Sequence, residues 1–291
     1  MKTFNELLME KTEELMQAGV PEPELNAWYL LEHAMQKVSE ISVNRAWLTI
    51  HGDDQADKDV VDCYNTIVEH RKKRVPLEYI THRTEFMGLP FYVDASVLIP
   101  RQDTECVVEK ALGILKEDFA VSGADVLDLC TGSGCIAVSL ARLGKVKSVT
   151  ATDKSAEALK VAEKNADLNG IDIRFLQGDM WDPVDAEYDL IISNPPYIRR
   201  DVVPTLMEEV RDYEPVMALD GGEDGLFFYR SITERIGTFL RKGGSLVFEI
   251  GYDQGEVVAA LMREAGLTEI EIKKDYAGCD RVVSGRLMKN V

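Results

Sequence analysis

The chain has little of what marks secreted, membrane-spanning or metal-binding proteins. No uninterrupted apolar run approaches the roughly 20 residues that a bilayer span requires. The opening residues, Met1-Lys2-Thr3-Phe4-Asn5-Glu6, lack the apolar core of a signal peptide. A cytoplasmic location without a membrane partner is therefore expected. Cysteine is sparse: Cys63, Cys106, Cys130, Cys135 and Cys279 are an odd number with no Cys-x-x-Cys pair, which reads as reduced thiols. His33, His51, His70 and His82 are scattered over the first 82 residues, so no metal site is expected. Positive charge is also in short supply. There are 33 Lys and Arg against 51 Asp and Glu, a formal charge of −18. A broad duplex-binding face needs basic residues for phosphate contacts, so direct nucleic-acid binding is disfavoured.

What remains is an ordinary soluble composition, 45% apolar and 29% charged, in 291 residues with room for two domains. Residues 1–83 read as a small helical domain. Leu7, Leu8, Leu15 and Met16 mark one amphipathic stripe, with Thr3 as its N-cap. Trp28, Leu31, Met35 and Val38 mark a second. Val60, Val61, Tyr64, Ile67 and Val68 mark a third, running into the basic cluster His70-Arg71-Lys72-Lys73-Arg74. Residues 84–97 carry two short β-rich runs around Gly88 and Pro90 and read as a hairpin linker. Residues 98–291 form the third segment, and from 124 strands and helices alternate. Strands are expected at 126–129, 148–152, 173–176, 190–193 and 245–250, with helices at 135–143, 156–168, 226–240 and 254–265. Two closing strands near 268–274 and 281–287 have no helical pattern between them and should pair antiparallel. The fold class is α/β, a mostly parallel sheet with an antiparallel C-terminal edge.

Asn194-Pro195-Pro196-Tyr197 ends one of those strands. Two consecutive prolines cannot continue a central strand, so Asn194 is held at its carboxyl end, the edge where open α/β sheets bind ligands. An amide, a proline carbonyl outside any ladder and an aromatic face together suit a planar group bearing an NH2. Amide and exocyclic amino nitrogens are poor nucleophiles because their lone pair is delocalised. Gripping both N–H groups biases that lone pair toward an electrophile.

A second constellation supplies the electrophile. Asp128-Leu129-Cys130-Thr131-Gly132-Ser133-Gly134 follows the first strand of the alternating region and opens a helix, where glycines permit a tight turn and close ligand approach. Asp153 ends the next strand, 21 residues after Gly132, where a carboxylate can accept from two ribose hydroxyls. Only Gly132 and Gly134 fit the dinucleotide fingerprint; the third position is Ala137. The carboxylate of Asp128 beside the glycines suits a cation, such as the amino group or sulfonium of S-adenosylmethionine, better than a pyrophosphate. Asp179, after the third strand, is a candidate for an adenine amino group.

These residues resemble the class I, Rossmann-like methyltransferases. More narrowly they are similar to the HemK/PrmC family, glutamine-N5 methyltransferases of peptide chain release factors. The narrower likeness rests on Pro76–Ile80, Glu85–Gly88, Leu98–Glu105, Val126–Ala137, Glu209–Pro215, Asp220–Leu226, Glu249–Gln254 and Asp275–Arg281. It implies a seven-stranded S-adenosylmethionine-dependent catalytic domain, a hairpin linker and a helical N-terminal domain that engages the release factor. The chain is expected to act as a monomer. The implied acceptor is the glutamine of a Gly-Gly-Gln loop. Asn194 and the Pro195 carbonyl would hold its amide, with Pro196 and Tyr197 beside it. Cys130, Thr131, Gly132, Ser133 and Gly134 would hold the methionine end, Asp153 the ribose, and Asp179 with Met180 or Trp181 the adenine. Gln102 and Asp103 stand where the family commonly has Pro and Glu. Arg101 and the 209–225 segment are further suspects, the arginine as a functional group or as the partner of a nearby carboxylate. The rivals are a glutamine methyltransferase for a ribosomal protein, an adenine-N6 nucleic-acid methyltransferase, and an NAD(P)-linked oxidoreductase or nucleotide-binding module. The last does not account for Asn-Pro-Pro-Tyr.

Overall fold

The computed structural model describes residues 2–41 and 43–288. They divide into two compact units, residues 1–82 with 208–213, and residues 83–207 with 214–291. No helix among the described residues is long and apolar enough to cross a membrane.

The first unit is built from α1 (Phe4–Gln17), α2 (Pro23–Ser39), α3 (Arg45–His51), α4 (Lys58–Lys72) and α5 (Leu77–Thr81), joined by the short helix Glu208–Tyr213. Thr3 caps α1 in a capping box: its hydroxyl accepts from Glu6 N at 3.2 Å, and Glu6 Oε2 accepts from Thr3 N at 2.9 Å. The three helical stripes meet in one core in which Leu7, Leu15, Leu31, Met35, Val60 and Tyr64 are buried, but Met16 and Val38, expected in the first two stripes, are exposed. Tyr64 satisfies its buried hydroxyl by donating to Ala27 O at 2.8 Å. The return of 208–213 to this unit has a charge basis: Glu209 accepts from Arg71 Nη2 at 3.0 Å and from Arg74 Nη2 at 2.7 Å. The basic cluster is thus partly a binding site for the chain's own glutamate, which its sequence position does not disclose.

The second unit opens with a hairpin, β1 (Thr84–Phe86) and β2 (Leu89–Phe91), then α6 (Gln102–Asp118). It continues β3 (Ala124–Leu129), α7 (Cys135–Leu143), β4 (Val146–Asp153), α8 (Ala156–Asn169), β5 (Arg174–Gln177) and β6 (Tyr188–Ser193). After the 208–213 helix, α9, come α10 (Phe227–Phe239), β7 (Leu240–Glu249), α11 (Gly255–Glu264), β8 (Leu267–Lys274) and β9 (Asp280–Leu287). The hairpin expected as a separate linker belongs to this unit, because Phe86 and Phe91 are buried in its core. Helix α6 was not foreseen.

Seven strands form one sheet in the order β5-β4-β3-β6-β7-β9-β8. The first five are parallel; β9 pairs antiparallel with β7, and β8 with β9. Alternate side chains serve opposite cores, as strand geometry requires. Val126, Leu190, Ile192 and Val247 pack with residues of α6 and α7, while Leu127, Leu129, Ile191, Leu246 and Phe248 pack with residues of α10 and α11. Both faces are covered at the centre of the sheet, so Leu190–Ile192 of β6 and Leu246–Phe248 of β7 are continuous apolar runs, whereas the edge strand β5 is not. The chain moves from β3 to β4 on one side and returns to β6 on the other. That reversal opens a crevice at the strands' carboxyl ends.

Candidate active site

A cavity of about 260 Å³ lies in the second unit, among residues that follow β3, β4, β5 and β6. Its lining includes Cys130, Thr131, Gly132, Ser133, Asp153, Asp179, Met180, Asn194 and Pro196. Arg101, Thr104, Pro215, Met217, Phe227 and Phe228 contribute the rest of its polar and apolar wall.

The glycine loop leaves β3 with three left-handed residues, Cys130 (φ +61°), Gly132 (φ +54°) and Gly134 (φ +78°). At Gly134 a Cβ would meet Ala162 Cβ at 3.0 Å and Cα at 3.2 Å, so this glycine lets α7 begin against α8. At Gly132 a Cβ would meet nothing within 4 Å, so open space lies beside the backbone. Asp153 holds the loop from the end of β4: Oδ2 accepts from Gly132 N at 2.9 Å and Oδ1 from Ser155 N at 2.8 Å. The carboxylate retains acceptor capacity for a ligand hydroxyl. Burial raises the Asp153 pKa, opposed by hydrogen bonds from the backbone of Ser155, Gly132 and Lys154.

Asp128 is wholly buried behind the loop. Its Oδ2 accepts from the Thr131 hydroxyl at 2.5 Å, and its Oδ1 has no hydrogen-bond partner. Burial pushes its pKa up to about 7, with the Thr131 hydrogen bond pulling the other way. An orphaned carboxylate oxygen is costly, and a nearby cation would relieve it.

Asp179 pairs with Lys154 at 2.8 Å, both side chains well exposed. Of the two residues competing to cover a ring there, Met180 lines the cavity at φ +43°. Trp181 is only 3% exposed; its ring stacks on Phe239 at 4.5 Å, and its Nε1 donates to Ser231 O at 3.2 Å. The indole is a core residue of the opposite sheet face.

Asn194 follows β6 as the hydrophobic pattern demands, and its Nδ2 donates to the Thr104 hydroxyl at 3.3 Å. Pro195 and Pro196 are buried, and of the two Pro196 lines the cavity. Tyr197 departs from the expectation of a ring beside the acceptor group. It packs against the second core, and its hydroxyl donates to Glu249 Oε1 at 3.3 Å, outside the cavity lining. Gln254 braces this turn. Its Oε1 accepts from Gly251 N at 2.9 Å, while its Nε2 donates to Tyr197 O at 3.1 Å and Gly225 O at 3.2 Å. Arg101 lines the cavity and donates to the buried Glu214 at 2.6 and 2.7 Å, the carboxylate pairing that was one of its two expected roles. Of the 209–215 segment, Pro215 reaches the cavity wall, whereas Glu209 belongs to the first unit.

Thr104, Glu249 and Gln254 were missed as site-supporting residues. All three stand in segments that carried the family likeness, but no local pattern distinguishes a bracing side chain from a surface one. Among the described residues no group of three or more His, Cys, Asp or Glu is arranged to hold a metal ion.

Residues 6–81 match the PrmC N-terminal domain, and residues 107–210 match the Methyltransferase small domain. The chain is 39% identical over 259 residues to the release factor glutamine methyltransferase of Clostridium acetobutylicum, covering 87% of this chain and 88% of that protein. It is 39% identical over 274 residues to the protein of the same name from Geobacter sulfurreducens, covering 94% and 93%. Among solved structures, a T. thermophilus 16S rRNA N2 G1207 methyltransferase bound to AdoMet and guanosine aligns with a TM-score of 0.51. It is 18% identical, covers 70% of this chain and 49% of that one, and shares the fold.

Proposed function

The chain belongs to the release factor glutamine methyltransferase family, and we propose that it methylates the side-chain nitrogen of the glutamine in a release factor's Gly-Gly-Gln loop. The observation that carries this reading is the meeting of two half-sites in one cavity: Asp153 with the glycine loop, and Asn194 with Pro196.

The first half-site fits S-adenosylmethionine, which when bound supplies an electrophilic methyl group on a sulfonium. Asp153 lines the cavity with acceptor capacity left for a ribose hydroxyl, Gly132 leaves open space beside its backbone, and the orphaned Asp128 oxygen suits a neighbouring cation. Cys130, Thr131, Gly132, Ser133 and Gly134 would flank the methionine end, and Asp179 with Met180 the adenine.

At the second half-site Asn194 and the Pro195 carbonyl would accept the two N–H groups of the glutamine amide, orienting its lone pair toward the methyl carbon. Tyr197 then serves by bracing the turn. The amide nitrogen would bond to the methyl carbon as that carbon's bond to sulfur breaks, the electron pair staying on sulfur, and the nitrogen's proton would pass to water. Most of the rate comes from holding the reacting atoms in line in a site shielded from water. The first unit would dock the release factor, a reading supported by its match to the PrmC N-terminal domain.

Incubation with cofactor and, separately, a release factor, a ribosomal protein, DNA and RNA, followed by mass spectrometry, tests the assignment. One added methyl on the Gly-Gly-Gln peptide is expected. Methylation of another substrate with the release factor unmodified would overturn it.

A further inference from the structure

Helix α8 buries Ala158, Leu159, Val161, Ala162 and Ala166, and with them one polar side chain, Asn165. Asn165 is 0% exposed. An amide on an apolar helix face is costly unless its donors and acceptor are matched. Here they are. Oδ1 accepts from Tyr92 N at 2.7 Å, and Nδ2 donates to Tyr92 O and to Ser133 O, both at 2.9 Å. Three backbone partners fix the amide's orientation, since a flip would set N–H against N–H and oxygen against two carbonyls.

The two partner residues belong to different walls of the cavity. Ser133 lies in the glycine loop and lines the cavity itself. Tyr92 follows β2 directly, and the amide engages its N–H and C=O together, as a neighbouring strand would. From Tyr92 the chain runs on to Ser96, Val97, Leu98, Pro100 and Arg101, which also line the cavity.

Helix α8 meets the loop at a second point on the same face. Ala162, three residues before Asn165, is the residue that a Cβ on Gly134 would strike at 3.0 Å. Asp153 takes the N–H of Gly132 and Asn165 takes the carbonyl of Ser133, so successive loop residues are held from β4 and from the helix after it. We infer that Asn165 is a positioning residue for the cofactor: it holds the glycine loop and the 96–101 segment at one fixed separation, so the cavity is formed before the ligand enters. This rests on the S-adenosylmethionine reading above. Asn165 is absent from the cavity lining, so it acts through Ser133 and Tyr92 and touches no reacting group.

The same helix supplies a control. Asn169 Nδ2 donates to Pro90 O at 3.0 Å, tying α8 to the same hairpin, yet neither Asn169 nor Pro90 lines the cavity. Loss of that bond should loosen the hairpin and leave the glycine loop in place.

The test compares Asn165→Asp, Asn165→Ala and Asn169→Ala in the full chain. Asn165→Asp keeps the shape and the acceptor for Tyr92 N but has no proton for either carbonyl. Asn165→Ala adds no charge, and is the variant to read if Asn165→Asp does not fold. Calorimetric titration well below each melting temperature should show S-adenosylmethionine Kd raised at least about tenfold in both Asn165 variants. Asn169→Ala should melt lower than wild type with Kd within about twofold. At saturating cofactor, kcat on release factor should stay within about threefold in the Asn165 variants, the loss appearing in the cofactor KM. Asn165 variants that melt lower but keep wild-type Kd, a loss confined to kcat, or an equal rise of Kd in Asn169→Ala would overturn the inference alone. A wild-type chain that binds no S-adenosylmethionine would overturn the cofactor reading and the inference with it.

Discussion

Gly132 donates its backbone N–H to Asp153 Oδ2 at 2.9 Å, linking the loop after β3 to the end of the neighbouring parallel strand β4. The carboxylate expected to bind ribose therefore also holds the loop expected to bind the methionine end.

Asp153→Ala should remove both functions at once. Two charge-assisted hydrogen bonds to a ligand and the loop's anchor are lost, so cofactor affinity should fall by about 10²-fold or more, roughly 3 kcal/mol. Calorimetric titration with S-adenosylmethionine measures it; affinity within threefold of wild type would exclude Asp153 from the cofactor site.

Asn194→Ala separates binding from chemistry. Its amide is proposed to act on the acceptor, so kcat should drop by about 10³-fold. Cofactor Kd should change by no more than a few-fold. Near-normal turnover with release factor would sink the assignment.

The two loop glycines should respond differently to alanine. Gly132→Ala meets open space and incurs only the left-handed backbone cost, about 1 kcal/mol. Gly134→Ala adds a collision with Ala162 at 3.0 Å and should lose about 2–4 kcal/mol. Thermal unfolding ranks them, and equal losses would contradict the packing described between α7 and α8.

Glu209 should make stability depend on acid. Burial opposes its charge, but hydrogen bonds from Arg74 and Arg71 outweigh burial and hold the carboxyl below its ordinary 4.5. With the folded value depressed, its contribution is present above 4.5 and disappears as pH falls through the lower folded value. Glu209→Gln should thus cost about 2 kcal/mol at neutral pH and progressively less below 4.5. Urea unfolding of both proteins across that range checks it; a gap that widens in acid would show the sign to be wrong.

Much of the second unit was legible because its signals are local. The helix expected at 135–143 is Cys135–Leu143, and the closing strands lie within a residue of their expected ends and pair antiparallel. Apolar runs, the glycine loop and Pro195-Pro196 each restrict the backbone through their own neighbours. Helix α6 carries a stripe of its own, Val107, Val108, Ala111, Ile114 and Leu115, but it precedes the strand–helix alternation that marks the sheet.

The amino-acid order alone was enough to terminate β6 at Asn194 and to put Asp153 at the end of its strand, since proline geometry and hydrophobic runs act over a few residues. It could not say that Met180 lines the cavity while Trp181 turns into the core, because neighbours in sequence need not share an environment. Nor could it reveal that Glu249 stands beside Asn194, or that Glu209 answers Arg71 and Arg74. Those pairs lie 55, 138 and 135 residues apart, and only sheet register in the first case and the return of the 208–213 helix in the others bring them together.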